Sequence, residues 1–401
     1  MKEYFVRDVP YLHISGREAA SGKKEPLPLF WTGSGIECTV KTGGLWVELE
    51  SSYSLYEPWV SIRVNGSQIA RFIVERGRRW YCLYQNVAAE KKRTVQLLKD
   101  TQAMPDDPDH VLILHALRVS DDAEFFPVPD KKLMIEFAGD SITTGEGLAG
   151  APCEMEWLPS WMATDQNYAR LTAQKLAADF RIISQSGWGI VTGWDNNIYH
   201  TIPAYYRQVC GVVPGDLYRR LGAHSLYDFT VHPADVVVIN LGTNDEAAFS
   251  QNAWTDPSDA RTYKMRLNET GLPCREDEEK ISDGIKLFLR TVHECNPAAY
   301  LFWCFGMCSV SLLAPCIRRA VSEYKIEDSD PRVAVVELPS MNLEKENEHG
   351  SRCHPGPETH RRASEKLTAA IESVIYGTRQ KNGAHGGPLS ENVSVSRTGR
   401  Q

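Results

Sequence analysis

Near residue 130 the hydrophobic period of this chain changes, and no single packed layer can accommodate both patterns. From about residue 35 to residue 120 apolar and polar side chains alternate with a period of two, as half-buried antiparallel strands do. Leu45, Val47 and Leu49 fall on one face, with Trp46, Glu48 and Glu50 on the other. Val60, Ile62 and Val64 repeat the pattern and run into Asn65-Gly66, a hairpin signal because both residues tolerate positive φ. Further strands are expected at 69–74, 80–85, 94–98 and 111–119, enough for a β-sandwich or jelly roll. The segment 121–132, stiffened by Pro127 and Pro129, reads as the boundary.

Beyond the boundary, short apolar runs alternate with helix-length amphipathic stretches. Strands are expected at 133–138, 180–184, 236–241, 300–305 and 333–338, and helices at 167–178, 276–294 and 357–376. Apolar runs of this kind suit parallel strands covered on both faces, so the second part is expected to be a doubly wound α/β domain. The chain thus divides into an antiparallel β-sandwich at 1–126, an α/β domain at 127–377, and a tail at 378–401 rich in Gly, Ser, Asn and Arg that is expected to be disordered. A length of 401 residues fits two domains.

Composition narrows the functional classes. No apolar run reaches the roughly 18 residues of a membrane span. The net charge of −8 is built from mixed signs with no basic stripe, which argues against a nucleic-acid partner. The ten cysteines are scattered without zinc-site spacing, so they read as reduced thiols, and no metal or cofactor is expected. The amino terminus places charges where an export signal needs an apolar stretch, and a cytoplasmic location is the expectation.

In an open parallel sheet the working groups collect at the carboxyl ends of the strands. Here those ends carry Gly139-Asp140-Ser141, then Ser186-Gly187-Trp188-Gly189, then Gly242-Thr243-Asn244-Asp245, and just before the last helix stands His354-Pro355. The set supplies a nucleophile, a backbone donor, an amide donor and a general base, the parts of an acyl-transfer site.

These four blocks, in this order, resemble those of the SGNH subgroup of GDSL esterases over roughly residues 133 to 376. The β-domain in front further resembles carbohydrate esterases that carry an amino-terminal jelly roll and remove acetyl groups from xylan- or mannan-type glycans. The resemblance implies Ser141 as nucleophile, His354 as its base, and an oxyanion hole made of the Ser141 and Gly187 amides with the Asn244 side chain. In most members an aspartate two or three residues before the histidine orients it, but Arg352 and Ser351 occupy those places. A backbone carbonyl, a distant carboxylate such as Glu346 or Glu348, or a bare Ser-His dyad are the alternatives, with the carbonyl or dyad version favoured.

Neighbouring residues are assigned humbler parts. Asp140 and Asp245 are expected to brace turns. Gly145-Glu146-Gly147-Leu148-Ala149-Gly150 satisfies the dinucleotide pattern G-x-G-x-x-G, but it does not open a helix and is rejected as a nucleotide site. Among Trp157, Trp161, Trp188 and Trp194, which could offer flat faces to sugar rings, Trp188 is the expected substrate contact. The expectation is therefore an acetyl esterase acting on an acylated carbohydrate, with oligomeric state left open. The alternatives are an SGNH lipase or thioesterase for longer acyl chains, and a catalytically dead carbohydrate-binding protein.

Overall fold

A computed structural model describes residues 1–19 and 25–383. Two antiparallel sheets form the first part. One runs in the order Lys2–Phe5, Val111–Val119, Leu45–Ser52, Gly77–Tyr84; the other runs Glu124–Phe126, Gly35–Lys41, Lys92–Lys99, Trp59–Val64, Ser67–Ile73. Leu45, Val47, Leu49, Val60 and Ile62 are fully buried between them, so the period-two reading places the correct face inward. Asn65 and Gly66 take φ of 51° and 84° at the hairpin. Positive φ at both central residues matches the right-handed twist of the paired strands.

The second part is a five-stranded parallel sheet in the order Asp179–Ser184, Met134–Gly139, Val236–Asn240, Tyr300–Phe305, Val333–Glu337. Its first strand in sequence, Met134–Gly139, has the second on one side and the third on the other. The winding direction reverses there, which opens a crevice at the carboxyl end of the strand. Ser141 lies two residues past that end.

Both faces of the sheet are covered. Tyr168–Lys175 and the closing helix pack on one side through Tyr168, Ala363, Leu367 and Ile371. Arg275–Cys295 and Ala314–Glu327 pack on the other. The helix Ala314–Glu327 is absent from the sequence reading, although Cys316, Ile317, Ala320, Val321 and Tyr324 share its buried face. The closing helix Pro357–Gly383 runs past the 376 expected for it and takes up the start of the stretch assigned to a tail, whose remainder, 384–401, lies outside the described residues.

The two parts are joined by buried polar contacts. Trp31 Nε1 donates to Val209 O (2.6 Å), the Thr164 amide to Asp100 Oδ1 (3.1 Å) and Gln185 Nε2 to Ala103 O (2.8 Å). Arg17 reaches Glu136 in the Met134–Gly139 strand (3.1 Å). Glu136 is fully buried, also binding Arg181 and the Tyr206 hydroxyl. Burial alone would raise its pKa, but the two guanidiniums and the phenol hold it down to about 2.

Candidate active site

Ser141 opens a one-turn helix, Ser141–Thr144, directly after the Met134–Gly139 strand. Asp140 caps it, its Oδ1 accepting from the Ile142 amide at 3.0 Å. Burial pushes the Asp140 carboxyl up to about 7, and the charges of Asp245 and Glu146 add to the rise against the Ile142 hydrogen bond. Asp140 is therefore a brace, as its place in the sequence suggests.

His354 arrives on the loop before the closing helix. Its Nε2 lies 2.9 Å from Ser141 Oγ, and its Nδ1 lies 3.1 Å from the carbonyl oxygen of Arg352. A carbonyl only accepts, so Nδ1 carries the proton of the neutral ring and Nε2 is left as the acceptor for the serine hydroxyl. Arg352 and Cys353 both have φ of 54°, a left-handed pair that turns the Arg352 carbonyl back onto the ring. Pro355 then keeps His354 extended, with φ −87° and ψ 158°.

Among the alternatives for orienting His354, the carbonyl fits the geometry. Glu348 is engaged elsewhere, with the Asn342 amide (3.0 Å) and Arg362 (2.8 Å).

The other strand ends supply donors to the same place. Gly187 has φ +80°, and a Cβ there would come within 2.9 Å of Trp194 Cδ1, so both conformation and space exclude a side chain. Asn244 is the second residue of the helix Thr243–Ala248, and its Nδ2 donates to Trp188 O at 2.9 Å. A side-chain amide has two hydrogens, so one remains for a ligand. Asp245 ties these loops together by accepting from the amides of Ile190 (2.8 Å), Val191 (2.9 Å) and Thr192 (3.3 Å).

Ser141, His354, Gly187 and Asn244 all line one cavity of about 720 Å³. The β-domain builds part of its wall through Tyr56 and the segment Gln102 to Asp106. Gln102 Oε1 accepts from the Ser186 amide at 2.8 Å, beside the Gly187 donor. The sequence gives no sign of this wall, because a loop between two strands carries no periodic signal.

Trp188, the expected substrate contact, lines the same cavity as Ser141 and His354. Its ring is stacked on His200 (5.2 Å between centroids, planes 10° apart) and the residue is 4% exposed, so it has little face to offer a sugar. Trp194, 49% exposed, and Trp157, packed edge-on against Tyr56 at 5.0 Å, line the cavity as well and are less buried than Trp188. A second cavity of about 490 Å³ lies at the opposite, amino ends of the strands, beside Met134, Asp179 and Asp235, and holds none of these groups. Among the described residues no cluster of three or more His, Cys, Asp or Glu could hold a metal ion, and no helix is long and apolar enough to cross a membrane.

No protein-family model matches the chain. Its structure superposes on that of an acetyl xylan esterase, Est2A, from the rumen bacterium Butyrivibrio proteoclasticus, with a TM-score of 0.90 and 36% identity over 94% of this chain and all of that one. A family two carbohydrate esterase from Clostridium thermocellum, solved in complex with cellohexaose, shares the fold with a TM-score of 0.70 and 24% identity over 91% of this chain and 99% of the other. The cellulase/esterase CelE of Acetivibrio thermocellus is 26% identical over 392 residues. That alignment takes in 92% of this chain and 40% of CelE, so the chain spans well under half of that protein.

Proposed function

The chain belongs to carbohydrate esterase family 2, and we propose that it is a serine esterase that removes acetyl groups from xylan- or mannan-type oligosaccharides through an acetyl-enzyme. The observation that carries this reading is the 2.9 Å contact between Ser141 Oγ and His354 Nε2, with Nδ1 already committed to the Arg352 carbonyl.

In this mechanism the acetyl carbonyl sits against Ser141, and His354 Nε2 takes the hydroxyl proton as Oγ attacks. The negative charge that develops on the carbonyl oxygen is met by the amides of Ser141 and Gly187 and by the free hydrogen of Asn244 Nδ2. His354 then gives its proton to the departing sugar oxygen, leaving acetyl on Ser141. Water enters, His354 takes one of its protons, and the same donors hold the second oxyanion until acetate leaves and Ser141 is restored. The sugar of the leaving group would lie between the open faces of Trp157 and Trp194. Identity of 36% to an acetyl xylan esterase over nearly the whole chain supports xylan as the substrate class.

The acyl preference is tested with acetyl and octanoyl esters of one alcohol. The acetyl ester is expected to give the higher kcat/KM by about tenfold or more, since forcing a longer chain into a site fitted to a methyl group costs roughly 1–3 kcal/mol in displaced packing. A preference for octanoyl would contradict deacetylation and favour a lipase.

A further inference from the structure

The segment Gly145 to Gly150, which imitates a nucleotide motif in sequence, has a different use in the fold. Gly145 ends the Ser141 helix with φ +85°, and Gly147 follows with φ +77°. Two left-handed residues flanking Glu146 reverse the chain there, and the Glu146 amide donates back to Ser141 O at 3.0 Å. The loop is then locked to the histidine loop: the Ser351 amide donates to Gly147 O (3.0 Å), and a Cβ on Gly147 would lie 2.5 Å from Ser351 O and 2.8 Å from His354 Cβ. This arrangement fixes where the Glu146 side chain lies. Its Oε1 is 3.8 Å from His354 Nε2 and 2.8 Å from Arg352 Nη1, and the side chain is 6% exposed.

When His354 takes the serine proton it becomes a cation. Its Nδ1 partner is a neutral carbonyl, which orients the ring but brings no full negative charge. The residues around the ring supply few other candidates. His360, close enough to feel its charge, is buried, which pushes its pKa down to about 3 and keeps it neutral. The Cys308 thiol is pushed up to about 12 by burial, and Cys353 is a free thiol on the histidine loop. Asp140 is turned away into its helix cap. Asp106, Glu156 and the Asp195–His200 pair stand on the cavity wall. Among the described residues, Glu146 is the carboxylate paired with the ring.

We propose that Glu146, with Arg352 as its counter-ion, is a positioning residue that balances the charge on His354 in place of the carboxylate its own loop lacks. It does so from the Nε2 side, where the proton arrives, while the Arg352 carbonyl holds Nδ1. Arg352 thus contributes twice, its main chain fixing the tautomer and its side chain holding Glu146 and moderating its field. The inference rests on His354 being the base of the proposed esterase.

The two members of the pair predict shifts of opposite sign, because a carboxylate favours the protonated ring and a guanidinium disfavours it. Two readouts apply: the acid limb of kcat/KM on an acetyl ester, and the His354 ring titration followed by NMR in a Ser141→Ala background. Glu146→Gln is expected to move both to lower pH by about 1 unit and to lower the plateau kcat by about tenfold, with KM within about twofold. Arg352→Gln, which keeps the main-chain carbonyl, is expected to move both to higher pH by about half a unit.

A Glu146→Gln shift below about 0.2 units, or shifts of the same sign in both variants, would overturn the proposal. Should Glu146→Gln fail to fold, the direction of the Arg352→Gln shift decides alone: upward supports it, none or downward overturns it. Failure of the esterase reading would appear separately, as wild-type protein without ester turnover, while the ring titration would still report on Glu146.

Discussion

His354→Ala is expected to lower kcat on an acetyl ester by about 10⁴-fold to 10⁶-fold, with little change in Tm. The loss follows from the 2.9 Å contact to Ser141 Oγ, since without the imidazole the hydroxyl has no acceptor for its proton. The oxyanion donors stay in place, because the Trp194 amide binds the Gly187 carbonyl, Asp245 ties down the loop just after it at Ile190 and Val191, and Asn244 is held by the Trp188 carbonyl, none of which involves the histidine. Some rate above that of water should therefore survive. Folding is expected to lose no more than about 1–2 kcal/mol, the worth of the two ring hydrogen bonds. Kinetics and thermal melting of the same preparation check both halves, and a fall of only a few fold would show that another group serves as base.

A second large effect is expected far from the chemistry. Glu136→Ala should destabilise the protein by about 3–5 kcal/mol, because Arg17 and Arg181 would keep their charges in a fully buried site with no anion between them. A drop in Tm of roughly 10 °C is the corresponding signature. Arg17 belongs to the β-domain, following the strand His13–Ser15, and Glu136 lies in the strand that leads to Ser141. Breaking the cluster therefore loosens the docking of one domain on the other.

The wild type should also lose stability in acid through this group. The carboxyl of Glu136 is held below its ordinary value of 4.5, near 2, so its contribution is complete above pH 4.5 and disappears as the pH falls toward 2. Melting curves of wild type and variant across that range should converge. An unchanged Tm in Glu136→Ala would show that the cluster does not hold the domains together.

Much of this was legible in the sequence because strands and strand ends leave local marks. The face of Leu45, Val47 and Leu49, the Asn65-Gly66 turn, and the groups that follow three parallel strands all depend on near neighbours in the chain. The missing aspartate beside His354 was legible too, as Arg352 and Ser351 stand where it belongs. What replaces it was not. The carbonyl that holds Nδ1 depends on two consecutive left-handed residues, neither of them glycine, and no residue type announces that conformation. Glu146 was hidden differently, inside a glycine pattern read only for nucleotides, and its partner Arg352 lies 206 positions away.

Trp188 lines the cavity, but its ring packs on His200 and its carbonyl anchors Asn244, and the sequence marks neither contact. The loop at Gln102 to Asp106 became part of the site only when the two domains docked.

The central claim is that Ser141 carries the acetyl group from the glycan to water, and acetate release tests it most directly. Wild type and Ser141→Ala are incubated with acetylated xylan and mannan oligosaccharides and free acetate is measured. The expected result is steady release by the wild type and release at background by Ser141→Ala. Release by Ser141→Ala above about 1% of the wild-type rate would contradict the account, since loss of a serine nucleophile costs several orders of magnitude.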